Sequence, residues 1–454
     1  MYVLNTSIER NDLKLAIAAV LATLVCAFAL DSNAQTADPV LVSAAALADR
    51  ANSFDHPKLI DLALTRLINA TTRVHPAVEV ERIQSKASEE DLEAAKLLRY
   101  PNFSASAQTD RARLGTVFGA DVPLWNAGRI RAQIGAAQAS VQVQDAKTIE
   151  VQQNLALRVV DAWQTARVAQ EKLVVLNYTK AKLELLRAMM ARRVEAQVSP
   201  SIEGELVTTR LLQIQSDEAI ANSALVLGLK KLTQLSGEKV QGQDLVTEQS
   251  NQAFGALALE PALLTQYAQE AQLSEQHPSI ERAKKVAQVS LRESEVRAAA
   301  RFPEVYLRVQ RQDTALGTKA NSAFIGFRYE TGAGLSSSAV ARSASERALA
   351  LEKSIETMRS ELSENFESER ETLRTNLARA NSLGSVVASS RLVLDSYERL
   401  FIAGRRTWQE VMTALRESND YQVSLAESRI QTVASAWRLR IRSTTSFNRG
   451  IFEN

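Results

Sequence analysis

The sequence holds one cysteine, Cys26, and three histidines, His56, His75 and His277, in 454 residues. A disulfide framework and a Cys/His metal centre are therefore excluded. Each histidine is followed by proline at the start of an expected helix, where the ring caps or packs. No phosphate loop or nucleophile elbow occurs, so we expect no enzyme, no cofactor, no metal and no catalytic residue. Aromatics make up only 5% of the chain, with 16 Gly and 9 Pro. Ala, Leu, Gln, Glu, Arg and Ser dominate, which is the composition of long helices. A formal net charge of +2, with no basic patch interleaved with aromatics, excludes nucleic acid as a partner.

Only one long apolar run occurs, Leu15 to Leu30, preceded by Arg10 and Lys14 and followed by Ser32-Asn33-Ala34. It reads as a secretory signal over residues 1–34, the mature chain starting at Gln35; an uncleaved anchor is the alternative. Cys26 lies inside the run, with Val25 before it where acylation wants a small residue.

Gly334 to Arg440 contains no proline and reads as two long helices broken at Ala403-Gly404-Arg405-Arg406. Ala344, Ala348, Leu351, Ile355, Met358, Leu362, Phe366, Leu373, Leu377 and Ala380 form a heptad-like seam. A helix over Ser338–Ile402 would extend about 100 Å at roughly 1.5 Å per residue. Gly128 to Gly237 has the same layout, broken at Ala196-Gln197-Val198-Ser199-Pro200. Ahead of each helical pair stands a proline-punctuated helix and then alternating sequence. Pro278 minus Pro76 and Pro303 minus Pro101 are both 202, so the chain reads as a duplication.

The expected domains follow. After an irregular leader, Leu59–Asn69 is a short amphipathic helix, and a second helix ends near Leu98. Residues 35–237 form the first repeat, with a β-hairpin over 101–124 and a helical hairpin over 128–237. Residues 238–275 form a small helical insert. Residues 276–442 repeat the pattern, with a hairpin over 303–330 and helices over 336–442. Residues 443–454 are a polar tail. The fold class is mostly α with β.

In the hairpins, Phe103, Ala105 and Ala107 alternate with Ser104, Ser106 and Gln108, and Val305, Leu307 and Val309 alternate with Tyr306, Arg308 and Gln310. Nine of the 24 aromatics (12 Phe, 8 Tyr and 4 Trp) fall in these regions. Alternating strands with aromatics near their ends suit a transmembrane β-barrel, apolar face to lipid and polar face to water. Four strands cannot close around a lumen, and an open edge cannot sit in lipid. Three copies would supply twelve strands. Soluble hairpins capping a coiled coil fit the periodicity equally well.

The order of "RYPNFSASAQ", "VPLWNAGRI", a long Ala-rich helix and "LTQLSG", then all of it again, resembles the TolC family of outer-membrane channel proteins. "LFIAGRRTWQEVMTALRESNDY" is similar to the family's segment at the tip of the second helical pair. The resemblance implies a homotrimer with a twelve-stranded barrel in outer-membrane lipid and a periplasmic α-barrel. It also implies a periplasmic adaptor and an inner-membrane pump or ABC transporter as partners, with exported protein or small molecules as cargo. "RRVEAQVSPSIEGELVTTRLLQ" and "YETGAGLSSSAVARSASER" look more like type I secretion channels for adhesins than like drug-efflux channels. By the same resemblance the periplasmic gate falls near Phe401, Arg406 and Glu410. Phe401 lacks the hydroxyl common there, and Thr413 departs from a second acidic position. Glu203 is the first-repeat counterpart of Glu410. The alternative reading is a periplasmic coiled-coil adaptor or scaffold that never enters the membrane.

Overall fold

The computed structural model describes residues 62–110, 113–245, 276–313, 319–330 and 332–443. The expected signal segment, the leader with His56, most of the insert and most of the tail lie outside the described residues. Helices α1 (Leu62–Val74) and α2 (Pro76–Leu97) lead to strands β1 (Asn102–Asp110) and β2 (Arg113–Trp125). Then come α3 (Arg129–Glu195) and α4 (Ser201–Ser236). After a 3-10 turn at Gly242–Leu245, the order repeats as α5 (Pro278–Ala299), β3 (Glu304–Asp313), β4 (Lys319–Arg328), α6 (Ser336–Ile402) and α7 (Trp408–Ser443).

The duplication is exact in helix length. Helices α2 and α5 have 22 residues each, α3 and α6 have 67, and α4 and α7 have 36. All ten expected seam positions of α6 are buried or half-buried, whereas most intervening positions are exposed. That stripe packs α6 along α7 and α5. Helix α1 departs from expectation, running on past Asn69 to Val74. Thr71 and Thr72 donate to the carbonyls of Leu67 and Ile68, at 2.8 and 3.0 Å. Their hydroxyls are thereby satisfied inside the helix, and only His75-Pro76 stops it.

Two apolar cores follow one another along the helices. The first gathers Leu64, Ile68, Leu155, Trp163, Leu232 and Trp437. Here α4 crosses α3 so closely that a Cβ at Gly228 would lie 2.8 Å from that of Ala166. The second gathers Leu183, Met190, Val207, Phe401, Trp408 and Met412 and lies nearer the two interhelical turns. Among the described residues, no helix is long and apolar enough to cross a membrane.

His75 and His277 hold equivalent caps. Nδ1 of His75 accepts from the Ala77 amide at 3.1 Å, and Nδ1 of His277 from the Ser279 amide at 3.2 Å. His277 is only 3% exposed and touches Gln153 of α3. Burial, then the charge of Arg442, pulls its pKa down to about 4, with Glu150 opposing. An unfolded ring takes up its proton near pH 6.5 and the folded ring only near 4. Stability is therefore full above pH 6.5 and declines toward pH 4, by at most about 3 kcal/mol from this group. Melting temperatures measured from pH 7.5 to 4.5 should fall less steeply for His277→Asn than for the native chain.

Candidate functional site

The two hairpins join into one antiparallel sheet in the order β1-β2-β3-β4. The junction is the β2–β3 pairing, Thr116 opposite Asp313 through Trp125 opposite Val305, with a register shift at Pro123. Each edge strand has one partner among the described residues. The register sorts side chains into two faces, because successive residues point oppositely. Phe103, Phe118, Ala120, Val122, Val305, Leu307, Ile325 and Phe327 share one face. Phe103 and Phe327 are 79% and 77% exposed there, with no covering layer among the described residues.

The opposite face carries Ser104, Asp121, Glu304, Tyr306, Arg308, Gln310 and Arg328. Arg308 grips Asp121 across β2–β3 with two bonds of 2.6 Å. Arg129, the first residue of α3, reaches up to Glu304 at 2.8 Å, and Arg328 stands 3.9 Å from the same carboxylate. The guanidiniums of Arg308 and Arg328 lie 5.3 and 5.2 Å from the centre of the Tyr306 ring. Gly326, opposite Tyr306, leaves the ring its place: a Cβ there would come within 2.6 Å of it. The cluster fastens the sheet to the helices at its base. Alternation had put Tyr306 and Arg308 on the polar side; nothing in the sequence marked Asp121, Glu304 or Arg129 as partners in this cluster.

The other end of the helices carries the expected gate residues. The turn after α6 closes with Gly404 in the left-handed region at φ 71°, its amide 2.9 Å from the Phe401 carbonyl, and Arg405 N–H 2.8 Å from the Leu400 carbonyl. The turn after α3 repeats this geometry at Gln197, φ 55°, through Val194 and Arg193. Both are Schellman caps, one with the favoured glycine and one without it.

Arg406 donates to Glu410 at 2.5 Å, the i, i+4 pair expected. Glu410 also accepts from the amide and hydroxyl of Thr407, at 2.8 and 2.9 Å, and its own amide faces the Thr407 hydroxyl at 3.4 Å. Thr407 and Glu410 thus form a capping box for α7, a role the sequence reading missed although the T-W-Q-E spacing spells it. The Thr407 amide, then Arg406, hold the Glu410 carboxyl below the usual range. Arg406 also lies 4.7 Å over the Tyr397 ring. Phe401 is packed inside: its ring is 5.0 Å from that of Trp408, and Arg193 of the first repeat covers it at 4.9 Å. Glu203 stands half-buried in the first turn of α4, where Pro200 provides no side-chain cap.

No protein-family model and no curated protein matches the sequence. Solved structures do match. A membrane protein from Pseudomonas aeruginosa aligns with TM-score 0.71 at 14% identity, over 84% of this chain and 90% of that one. The outer membrane protein VceC from Vibrio cholerae gives 0.69 at 12% identity, over 84% and 96%. The CmeC outer membrane channel of Campylobacter jejuni gives 0.69 at 11% identity, over 84% and 85%. With its duplicated helical hairpins and its two-faced four-stranded sheet, this chain has the fold of the TolC-like outer-membrane channels that its sequence resembles.

Proposed function

We propose that the chain is an exit duct of the outer membrane, three copies closing a twelve-stranded barrel above a periplasmic tunnel of helices. The observation that carries this reading is the sheet. One face is mainly apolar and bare among the described residues, with Arg311 and Asn321 on it only toward the strand tips; the other is mainly polar, and each edge strand has one partner among the described residues. Bare apolar strands are stable in lipid, and there the unpaired edges need strands from other copies. A periplasmic scaffold would leave Phe103 and Phe327 in water with no gain. The channel fold of its structural neighbours supports the same reading. The duct is passive, with no chemistry of its own, and works with a periplasmic adaptor and an inner-membrane pump or ABC transporter. Its cargo is an exported protein, as in type I secretion, or small molecules, as in efflux. Deleting the gene separates these: loss of a protein from the medium marks secretion, and increased sensitivity to toxic small molecules marks efflux.

The periplasmic end is the proposed gate, with Arg406 and Glu410 at its surface and Phe401 holding the turn from within. Purified protein should run as a trimer in detergent and conduct ions in planar bilayers. Arg406→Ala and Glu410→Gln should each raise single-channel conductance severalfold, because both free the start of α7. A monomeric, non-conducting protein would end the channel reading. Unchanged conductance in both variants would assign closure to other contacts.

A further inference from the structure

Between α2, α3 and α5 the helices frame an open hollow of about 660 Å³ lined by Arg99, Arg131, Gln138, Gln142, Arg292 and Glu295. Its side can be read from α3. Arg129 points to the polar face, since it bonds Glu304. At 3.6 residues per turn, Arg131, Gly135, Gln138 and Gln142 fall roughly 180–240° around the helix from Arg129. The hollow therefore opens on the opposite side, the side of the apolar strand face. Phe103 and Phe327 of that face lie near the strand ends that join the helices, and exposed Tyr100 and Phe302 lie in the links from α2 to β1 and from α5 to β3.

The polar groups are arranged for an anion. Glu295 occupies Arg292 with bonds of 3.0 and 2.9 Å, which holds that guanidinium across α3, where Gly135 has no Cβ to obstruct it. Arg99 and Arg131 have no ion pair among the described residues and are exposed. Three arginines against one carboxylate leave an excess of positive charge, and the glutamines add neutral donors. Guanidinium forks suit phosphate oxygens. An apolar aromatic surface on the same side suits acyl chains, as in the aromatic belts of membrane proteins.

We infer that this hollow binds the phosphate of an anionic phospholipid, its acyl chains lying along the apolar strand face. The inference rests on the channel reading, since it needs the strand face to meet lipid. It adds that the chain holds particular lipids at the periplasmic edge of the bilayer and so fixes how deeply it sits there.

Native mass spectrometry of the detergent-purified trimer, with phosphatidylglycerol titrated in, tests it. The native chain should retain phosphatidylglycerol, and a diacylglycerol of the same acyl chains should not be retained. Arg99→Gln with Arg131→Gln should weaken retention about tenfold or more. Arg374→Gln with Arg379→Gln, which remove the same charge from the shaft of α6, should leave it unchanged. Equal retention by the Arg99/Arg131 variant would overturn the site, as would displacement of the lipid by millimolar inorganic phosphate, which would make free phosphate the ligand. Bilayer conductance of the same preparations keeps the two readings apart. A native trimer that conducts but retains no phosphatidylglycerol overturns the lipid site alone. One that neither conducts nor inserts overturns the channel and the site together.

Discussion

Ala323→Arg is expected to abolish insertion of the protein, whereas Ser322→Arg, one residue away on β4, should leave insertion intact. The two positions share a depth and an edge strand and differ only in face. Ala323 pairs with Val309 on the apolar side, and Ser322 with Gln310 on the polar side. An arginine facing lipid near the bilayer midplane costs about 2–4 kcal/mol. The proposed trimer would impose it three times, roughly 6–12 kcal/mol in all, which is comparable with the whole stability of a typical domain. An arginine facing a water-filled bore keeps its hydration. Membrane flotation and heat-modifiable trimer on gels would measure both. If both variants insert equally well, the alternation does not separate lipid from water and the barrel reading fails with it. If neither inserts, β4 tolerates no long side chain on either face, and the sheet is packed against protein.

Much of this architecture was legible because its periods are simple. The seam of α6 is read directly from apolar spacing, since a long helix that packs along one stripe admits no other pattern. The repeat was legible from two pairs of prolines, which mark helix starts and ends wherever they occur. The turns were legible at Gly404 but less so at Gln197, a residue that rarely takes positive φ and gives no warning of doing so. Pairing between β2 and β3 joins residues almost 200 positions apart, and no local pattern encodes it. The same holds for Arg308 with Asp121 and Arg129 with Glu304. Around the proposed gate, the sequence showed which residues are near the turn but not which way they point. Phe401 follows the buried stripe of α6 inward, whereas Arg406, beyond the helix end, points to the surface.

That inward direction sets the expected result for Phe401→Ala: loss of order in both interhelical turns, not only its own. The ring lies between Trp408 of α7 and Arg193 of α3, in a core that also holds Met190, Val207 and Leu211. It therefore joins the two helical hairpins where each reverses. Truncating a buried phenylalanine typically costs about 3–5 kcal/mol. Near the ends of long helices, where turns open locally before the shaft does, that loss appears as local opening. Amide exchange should rise roughly a hundredfold or more across 399–411 and also across 193–203, with little change at Trp163 or Trp437 in the other core. Phe401→Leu keeps most of the apolar volume and should show a much smaller effect. Single-channel conductance should rise with the exchange, since a loosened turn releases Arg406 and Glu410 from their fixed geometry. Faster exchange confined to 399–411 would show that the first hairpin holds its turn independently, and the gate would then have to be assigned to each hairpin separately.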